Sequence, residues 1–398
     1  MNIKIILVDA YPHGMACTAR VHNYAKGITE QGVEVQILVP KPTERDATTA
    51  VNREASGNYQ GIDFAYTCRT TIRPDSFIKR RFLVLKGIFI ATKELAKSRR
   101  NLDAVLLVSN SLGYILSFKL LTTVLGAKYL QEKSELPFIN KDMNLVFKIY
   151  SYFYTTYIYR CFDGMLVISR YLSDYFRPKI RKKAGLLLVP ITVNPDEFVV
   201  PKDGNVTGNV VYCGNLSQRK DGILTLIQAF KIVSEKVPHV KLQIVGDTHK
   251  KRDKEKVREL IARLNLQNRV VLTGYVSRTK LLHLLCNASV LLLAKPSSLQ
   301  ADSCFPSKLG EYLATGNPVV VTETGEIPYY LRDGKNAFLA KPNSVDSFAQ
   351  KLDCALSKPE LAREIGLNGR DTALANFDYK VQAKRIINFI NELNQRLS

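Results

Sequence analysis

Hydrophobic positions along the chain fall into short continuous runs alternating with stretches at helical spacing. Met1 to Ala10, with Ile3, Ile5, Ile6, Leu7 and Val8, reads as a buried strand, a loop holding Gly14 follows, and Val21, Tyr24, Ala25 and Ile28 then share one helical face that stops at Gly32. Val33 to Val39 returns as a second strand, so the opening segment predicts a βαβ unit and a parallel sheet with helices on both faces. Ala104 to Val108, Ala127 to Leu130 and Gly164 to Ile168 continue the strand series. Between Val189 and Val206 the sequence turns rich in Pro, Asn, Asp and Gly, the composition of a linker.

The alternation then restarts. Val210 to Cys213 reads as a strand, Gly222 to Val237 as a helix and Leu242 to Val245 as a strand. Strand Val270 to Thr273, helix Lys280 to Asn287, strand Val290 to Leu293, helix Lys308 to Thr315 and strand Pro318 to Val321 complete a second doubly wound sheet. A last helix, Tyr379 to Leu397, carries Ala383, Ile386, Ile387, Ile390 and Leu393 on one stripe. The expected organisation is therefore α/β: a Rossmann-like domain over 1–195, a second over 207–375, and a C-terminal helix in 376–398 that packs back on the first. Two such sheets facing each other would leave a cleft at their carboxyl ends, where open α/β folds bind ligands.

Composition narrows the function classes. The 398 residues hold 57 Lys and Arg against 36 Asp and Glu, a net charge of +21, so the surface should attract phosphates or anionic lipid. The longest uncharged stretches are too short and too polar to span a bilayer, and the first apolar run holds Lys4 and gives no signal-peptide core. Seven cysteines with no C-x-x-C pair argue against a disulfide framework or a zinc site. A cytoplasmic protein is expected, with no metal.

Two segments carry candidate chemistry. In Phe305 to Val320, Ser307 reads as a helix cap, which would leave the amides of Lys308 and Leu309 free as an anion site. Glu311, one turn on, is placed to accept hydrogen bonds from two vicinal hydroxyls. In Val210 to Gly222, Gly214 would let a ligand approach the backbone, while Arg219 and Lys220 offer charge to a diphosphate. In the first half, Glu135 follows a strand end within Gln131 to Pro137 and His13 lies in the first loop, both positioned to touch a sugar or an acceptor.

Together these segments resemble the retaining GT-B glycosyltransferases of family GT4, the glycosyl transferases group 1, over essentially the whole chain. Gly214-Asn215-Leu216 with Lys220 is similar to that family's G-R-L-x-x-x-K-G, and Leu242 to Asp247 to its L-x-I-V-G strand end. Gly274-Tyr275-Val276 is similar to its G-x-V strand end near the base pocket, and Gly310 to Val319 to its E-A-M-A-x-G-x-P-V box. The resemblance implies a GT-B fold and sugar transfer from a nucleotide-sugar, with retention and without a cofactor or metal. It places Lys220 and Arg219 on the diphosphate with the amides at Ser307, Lys308 and Leu309, Glu311 on the ribose, and Gly14, Gly214, Asn215 and Val276 around the donor. Three positions depart from the pattern. Ser303 stands where the E-x7-E pair has its first acid, Asn215 replaces the arginine of G-R-L, and no histidine lies between His22 and His239.

Basic and aromatic residues crowd the segment from Arg73 to Arg100, and Phe147 to Phe162 is rich in Tyr and Phe, a composition suited to an anionic membrane surface as well as to a core. The leading expectation is an enzyme that adds a sugar to a glycan or lipid-linked acceptor in cell-surface polysaccharide biosynthesis, peripheral on the inner face of the plasma membrane. The competing expectations are a nucleotide-sugar 2-epimerase of the same fold, disfavoured by only five histidines, and a non-catalytic basic protein binding lipid or nucleic acid, for which no nucleic-acid motif is present.

Overall fold

The computed structural model describes residues 1–137, 144–199 and 208–395. The chain forms two compact units, Met1–Thr192 with Tyr379–Ser398 and Val193–Asp378.

The first unit is built on an eight-stranded sheet. Its strands are β1 (Asn2–Leu7), β2 (Glu34–Val39), β3 (Ser56–Tyr59), β4 (Ile62–Tyr66), β5 (Ala104–Val108), β6 (Lys128–Lys133), β7 (Gly164–Val167) and β8 (Gly185–Leu188). They stand in the order β3-β4-β2-β1-β5-β6-β7-β8, all parallel except the edge pair β3–β4. The central strands β1 and β5 are buried along their whole length because helices cover both faces. Helices α1 (Ala16–Thr29), α2 (Phe77–Lys97), α3 (Leu112–Leu125), α4 (Leu145–Tyr157) and α5 (Arg170–Phe176) supply the crossovers.

The C-terminal helix, Tyr379–Gln395, belongs to this unit, and its stripe of Ala383, Ile386, Ile390 and Leu393 is buried in the same core as Val21, Tyr24 and Ile28 of α1. Tyr379 donates its hydroxyl to Glu30 at 2.7 Å, and the Gln31 amide donates to the Lys380 carbonyl, fixing where the helix starts along α1. A buried ion pair ties α1 to the sheet. Arg20 donates to Glu132 of β6 at 2.9 Å and to the Val189 and Pro190 carbonyls beyond β8.

The second unit holds a six-stranded, wholly parallel sheet of β9 (Asn209–Cys213), β10 (Lys241–Val245), β11 (Val270–Gly274), β12 (Val290–Leu293), β13 (Val319–Thr322) and β14 (Phe338–Ala340), in the order β11-β10-β9-β12-β13-β14. Its helices are α6 (Gln218–Asp221), α7 (Ile223–Lys236), α8 (Lys251–Arg263), α9 (Arg278–Cys286), α10 (Leu299–Ser303), α11 (Ser307–Ala314), α12 (Val345–Ser357) and α13 (Pro359–Phe377). The strand order switches direction at β9, where crossovers leave on opposite sides and open a crevice at the carboxyl end.

Two expected elements differ from the structure. The strand expected to stop at Leu130 runs on to Lys133, because Gln131, Glu132 and Lys133 are buried rather than solvated. The linker expected over 189–206 lies partly outside the described residues, and its described part holds a short 3-10 turn, Pro195–Phe198.

Candidate donor site in the second unit

The carboxyl end of β9 is built for close approach. Gly222 adopts φ +65° between the one-turn α6 and α7, and a Cβ there would overlap the Ala294 carbonyl, so glycine is required on both counts. The loop it closes, 214–221, is held by two buried tyrosines. Tyr212 donates to the Asn215 carbonyl at 2.7 Å, and Tyr312 of α11 accepts the Cys213 amide at 2.6 Å. Burial raises both phenols well above their ordinary range, so they remain neutral donors.

Asp221 gathers the lysines. Its carboxylate lies 3.4 Å from Lys308 Nζ and 3.8 Å from Lys295 Nζ, and it accepts the Asn215 amide at 3.3 Å. Lys295 is nearly buried and donates to the Lys220 carbonyl, which makes it part of the scaffold. Lys308 is partly open and occupies the space where a side chain at Gly214 would stand, so its ammonium faces the loop. Arg219 and Lys220 are exposed on α6. A ligand phosphate at this loop would meet cations from both α6 and α11.

The start of α11 departs from the expected cap. Pro306 occupies the cap position and Ser307 is already the first helical residue, so no side-chain oxygen caps the helix. The Leu309 amide is consumed by the Pro306 carbonyl at 3.0 Å, leaving Ser307 and Lys308 as the amides that precede the helix's own hydrogen bonds. Ser303, where the family pattern has an acid, is 1% exposed and donates to the Gln300 carbonyl.

Glu311 is not solitary. Arg278, the first residue of α9 behind the Ser277 cap, donates to Glu311 Oε1 at 2.6 Å and to Glu197 Oε2 at 2.8 Å. Burial pulls the Arg278 pKa down, but the two carboxylates outweigh it and hold the guanidinium above its usual value. Glu311 Oε2 makes no hydrogen bond among the described residues. Val276, half-buried, lies two residues before Arg278. The sequence reading missed Arg278, Asp221 and the Lys308 ammonium; the available signal was a basic residue heading the helix after the G-x-V strand end.

The remaining candidates lie in the first unit. His13 and Gly14 are exposed in the loop after β1, where Asn52 clamps the His13 backbone by accepting its amide and donating to its carbonyl, both at 2.8 Å. The His13 ring meets Tyr59 edge-on. Glu135 is exposed just past β6. Before it, burial raises the Glu132 carboxyl and lowers the Lys133 ammonium to about 7. That ammonium lies over the Tyr159 ring and donates to Asn110.

The profile of the family described as "Glycosyl transferases group 1" matches residues 200–372, the stretch that holds the loop after β9, Arg278 and α11. That stretch, less than half of the chain, is similar to this family. The chain is also similar to two named enzymes. It is 25% identical over 243 residues to a GDP-mannose-dependent alpha-(1-6)-phosphatidylinositol monomannoside mannosyltransferase of Mycolicibacterium smegmatis, covering 58% of this chain and 62% of that one. It is 26% identical over 238 residues to a lipopolysaccharide 1,2-N-acetylglucosaminetransferase of Salmonella typhimurium, covering 56% and 60%. The chain spans about half to three fifths of the length of the curated relatives it matches. Solved structures extend the likeness to the whole fold. A glycosyltransferase from Rickettsia africae superposes with TM-score 0.71 at 20% identity, covering 98% of each chain. Anabaena HepE in complex with UDP superposes with TM-score 0.70 at 14% identity, covering 98% of this chain and all of that one. The chain therefore shares the GT-B fold of these structures.

Proposed function

We propose that this chain transfers a sugar, with retention and without a metal, from a nucleotide-sugar to a glycan or lipid-linked acceptor in cell-surface polysaccharide biosynthesis. The observation that supports the reading is the loop after β9, where the Lys308 ammonium reaches Gly214 from α11 and Arg219 and Lys220 stand exposed on α6, with Glu311 one turn along α11. The named relatives are sugar transferases, and HepE has been solved with UDP-glucose.

The chemistry follows from charge. As the glycosidic bond to the donor breaks, negative charge grows on the departing diphosphate, and fixed ammonium groups and amides stabilise that state more than the ground state. Lys220 is assigned to the diphosphate, and Lys308 takes the place left by Asn215, because its ammonium reaches the loop from α11. Glu311 holds the ribose hydroxyls through Oε2 while Arg278 fixes its rotamer through Oε1. His13 and Glu135 are assigned to acceptor or sugar contact in the first unit.

A thermal-shift screen with UDP-, GDP-, ADP- and TDP-sugars tests the reading, since a ligand that binds only the native state raises its apparent stability. One donor should raise the melting temperature, Lys220→Ala should abolish the shift, and turnover should release nucleoside diphosphate together with a glycosylated acceptor. A donor converted to its 2-epimer without an acceptor product, or no shift with any donor at millimolar concentration, would overturn it.

A further inference from the structure

The crossovers β4 to β5, β5 to β6 and β6 to β7 all step the same way across the first sheet, so right-handed connections lay α2, α3 and α4 side by side on one face. Helix α3 packs against α2 and against the 3-10 turn that follows α4. What α2 and α4 bury is meagre. Helix α2 buries only Gly87, Ala91 and Leu95, and α4 only Tyr154.

Their large apolar side chains point outward instead. Ile78, Phe82, Leu85 and Phe89 form one stripe of α2, with Phe82 65% exposed. Leu116, Leu120 and Val124 do the same on α3, and Leu145, Ile149 and Phe153 on α4. A surface left in water rarely carries three adjacent stripes of this kind, and such patches mark an interaction site. The charge around them has one sign. Helix α2 holds six Lys or Arg against the single acid Glu94, while α3 and α4 each hold one lysine and no acid. Arg81 and Lys93 fold over the Phe77 and Phe89 rings at 4.9 and 4.5 Å, the posture of cations whose stems accompany apolar groups into an interface.

We propose that the α2–α3–α4 face docks on an anionic lipid bilayer, the apolar stripes entering the acyl boundary and the cations meeting the headgroups. No helix among the described residues is long and apolar enough to cross a membrane, so the contact is peripheral. A second copy is a poor occupant, because two faces of the same positive sign repel. Aliphatic stripes of Leu, Ile and Val offer no stacking platform for nucleic acid. The inference rests on this surface alone and uses no part of the donor site.

The full chain is sedimented with vesicles of phosphatidylcholine alone and of phosphatidylcholine with phosphatidylglycerol. Binding to the anionic vesicles at least tenfold tighter than to the neutral ones, weakened by salt, is expected. Phe82→Glu combined with Ile149→Glu, both at exposed positions, should cut that binding at least tenfold while leaving the donor-induced thermal shift intact. Failure to bind anionic vesicles, or equal binding by the variant, overturns the proposal. So does a concentration-dependent dimer in light scattering that the same substitutions disperse while neither protein sediments with vesicles.

Discussion

Each sheet ends its central strands in a cluster of ionic side chains, and the two clusters are built differently. In the first unit Arg20 and Glu132 are 6% and 4% exposed, and Lys133 beside them is equally enclosed. In the second, Arg278 and Glu311 are 46% and 26% exposed, and Lys308 is open on one side. Charges shut away from water are costly unless fully paired, so the first cluster is committed to holding α1, β6 and the β8 end together. The second retains ionic groups that water, or a ligand, still reaches. Exposure, more than charge, separates the structural ion pair from the proposed binding site here.

The strongest way to break that comparison is to orphan a buried charge. Arg20→Met leaves Glu132 unpaired, and denaturant unfolding should show a loss of about 3 to 5 kcal/mol; a loss under 1 kcal/mol would mean that the pair is solvated after all. Lys220→Ala and Glu311→Ala should do the opposite. Each is expected to weaken donor use about tenfold or more, roughly 1.4 kcal/mol or above, while stability without donor stays within about 0.5 kcal/mol, as isothermal titration and unfolding curves would report. Wild-type donor kinetics in both would remove these residues from the site.

Arg278→Met should have a milder effect, a few-fold rise in the donor dissociation constant from a freed Glu311 rotamer, since half-exposed ion pairs contribute about 0 to 1 kcal/mol. The finest test concerns pH. Because burial lowers Lys133 to about 7, the unfolded chain holds more protons than the native one between pH 7 and the ordinary lysine range. Stability should therefore rise as pH goes from 7 to 9, and Lys133→Met should flatten that rise. An unaltered slope would show the ammonium to be charged and compensated in the native state.

The continuous apolar runs made β1 and β5 legible from sequence, and the helical spacing of Val21, Tyr24 and Ile28 did the same for α1. Strand β6 was cut short at Leu130 because a Gln-Glu-Lys sequence looks like a solvated loop, and its burial depends on Arg20, distant in sequence. Gly214 stood out in the sequence as an opening for close approach, and in the structure the Lys308 ammonium and the Tyr212 hydroxyl stand where its side chain would be. The Arg278–Glu311 pair was not, since a separation of 33 residues carries no local pattern and only the fold brings them together. Ser307 was misplaced by one residue because Pro306 can occupy the cap position as well as a serine, at the cost of a side-chain acceptor.

The return of the C-terminal helix to the first unit gives the polypeptide an order of assembly. A nascent chain emerging N-terminus first presents α1 with its buried face bare, and the residues that cover it are made only after all of 193–378. The second unit is thus completed before the first can close. A chain that stops near residue 378 should carry an intact second sheet and a defective first one, so that damage beyond residue 378 is felt in strands made long before it.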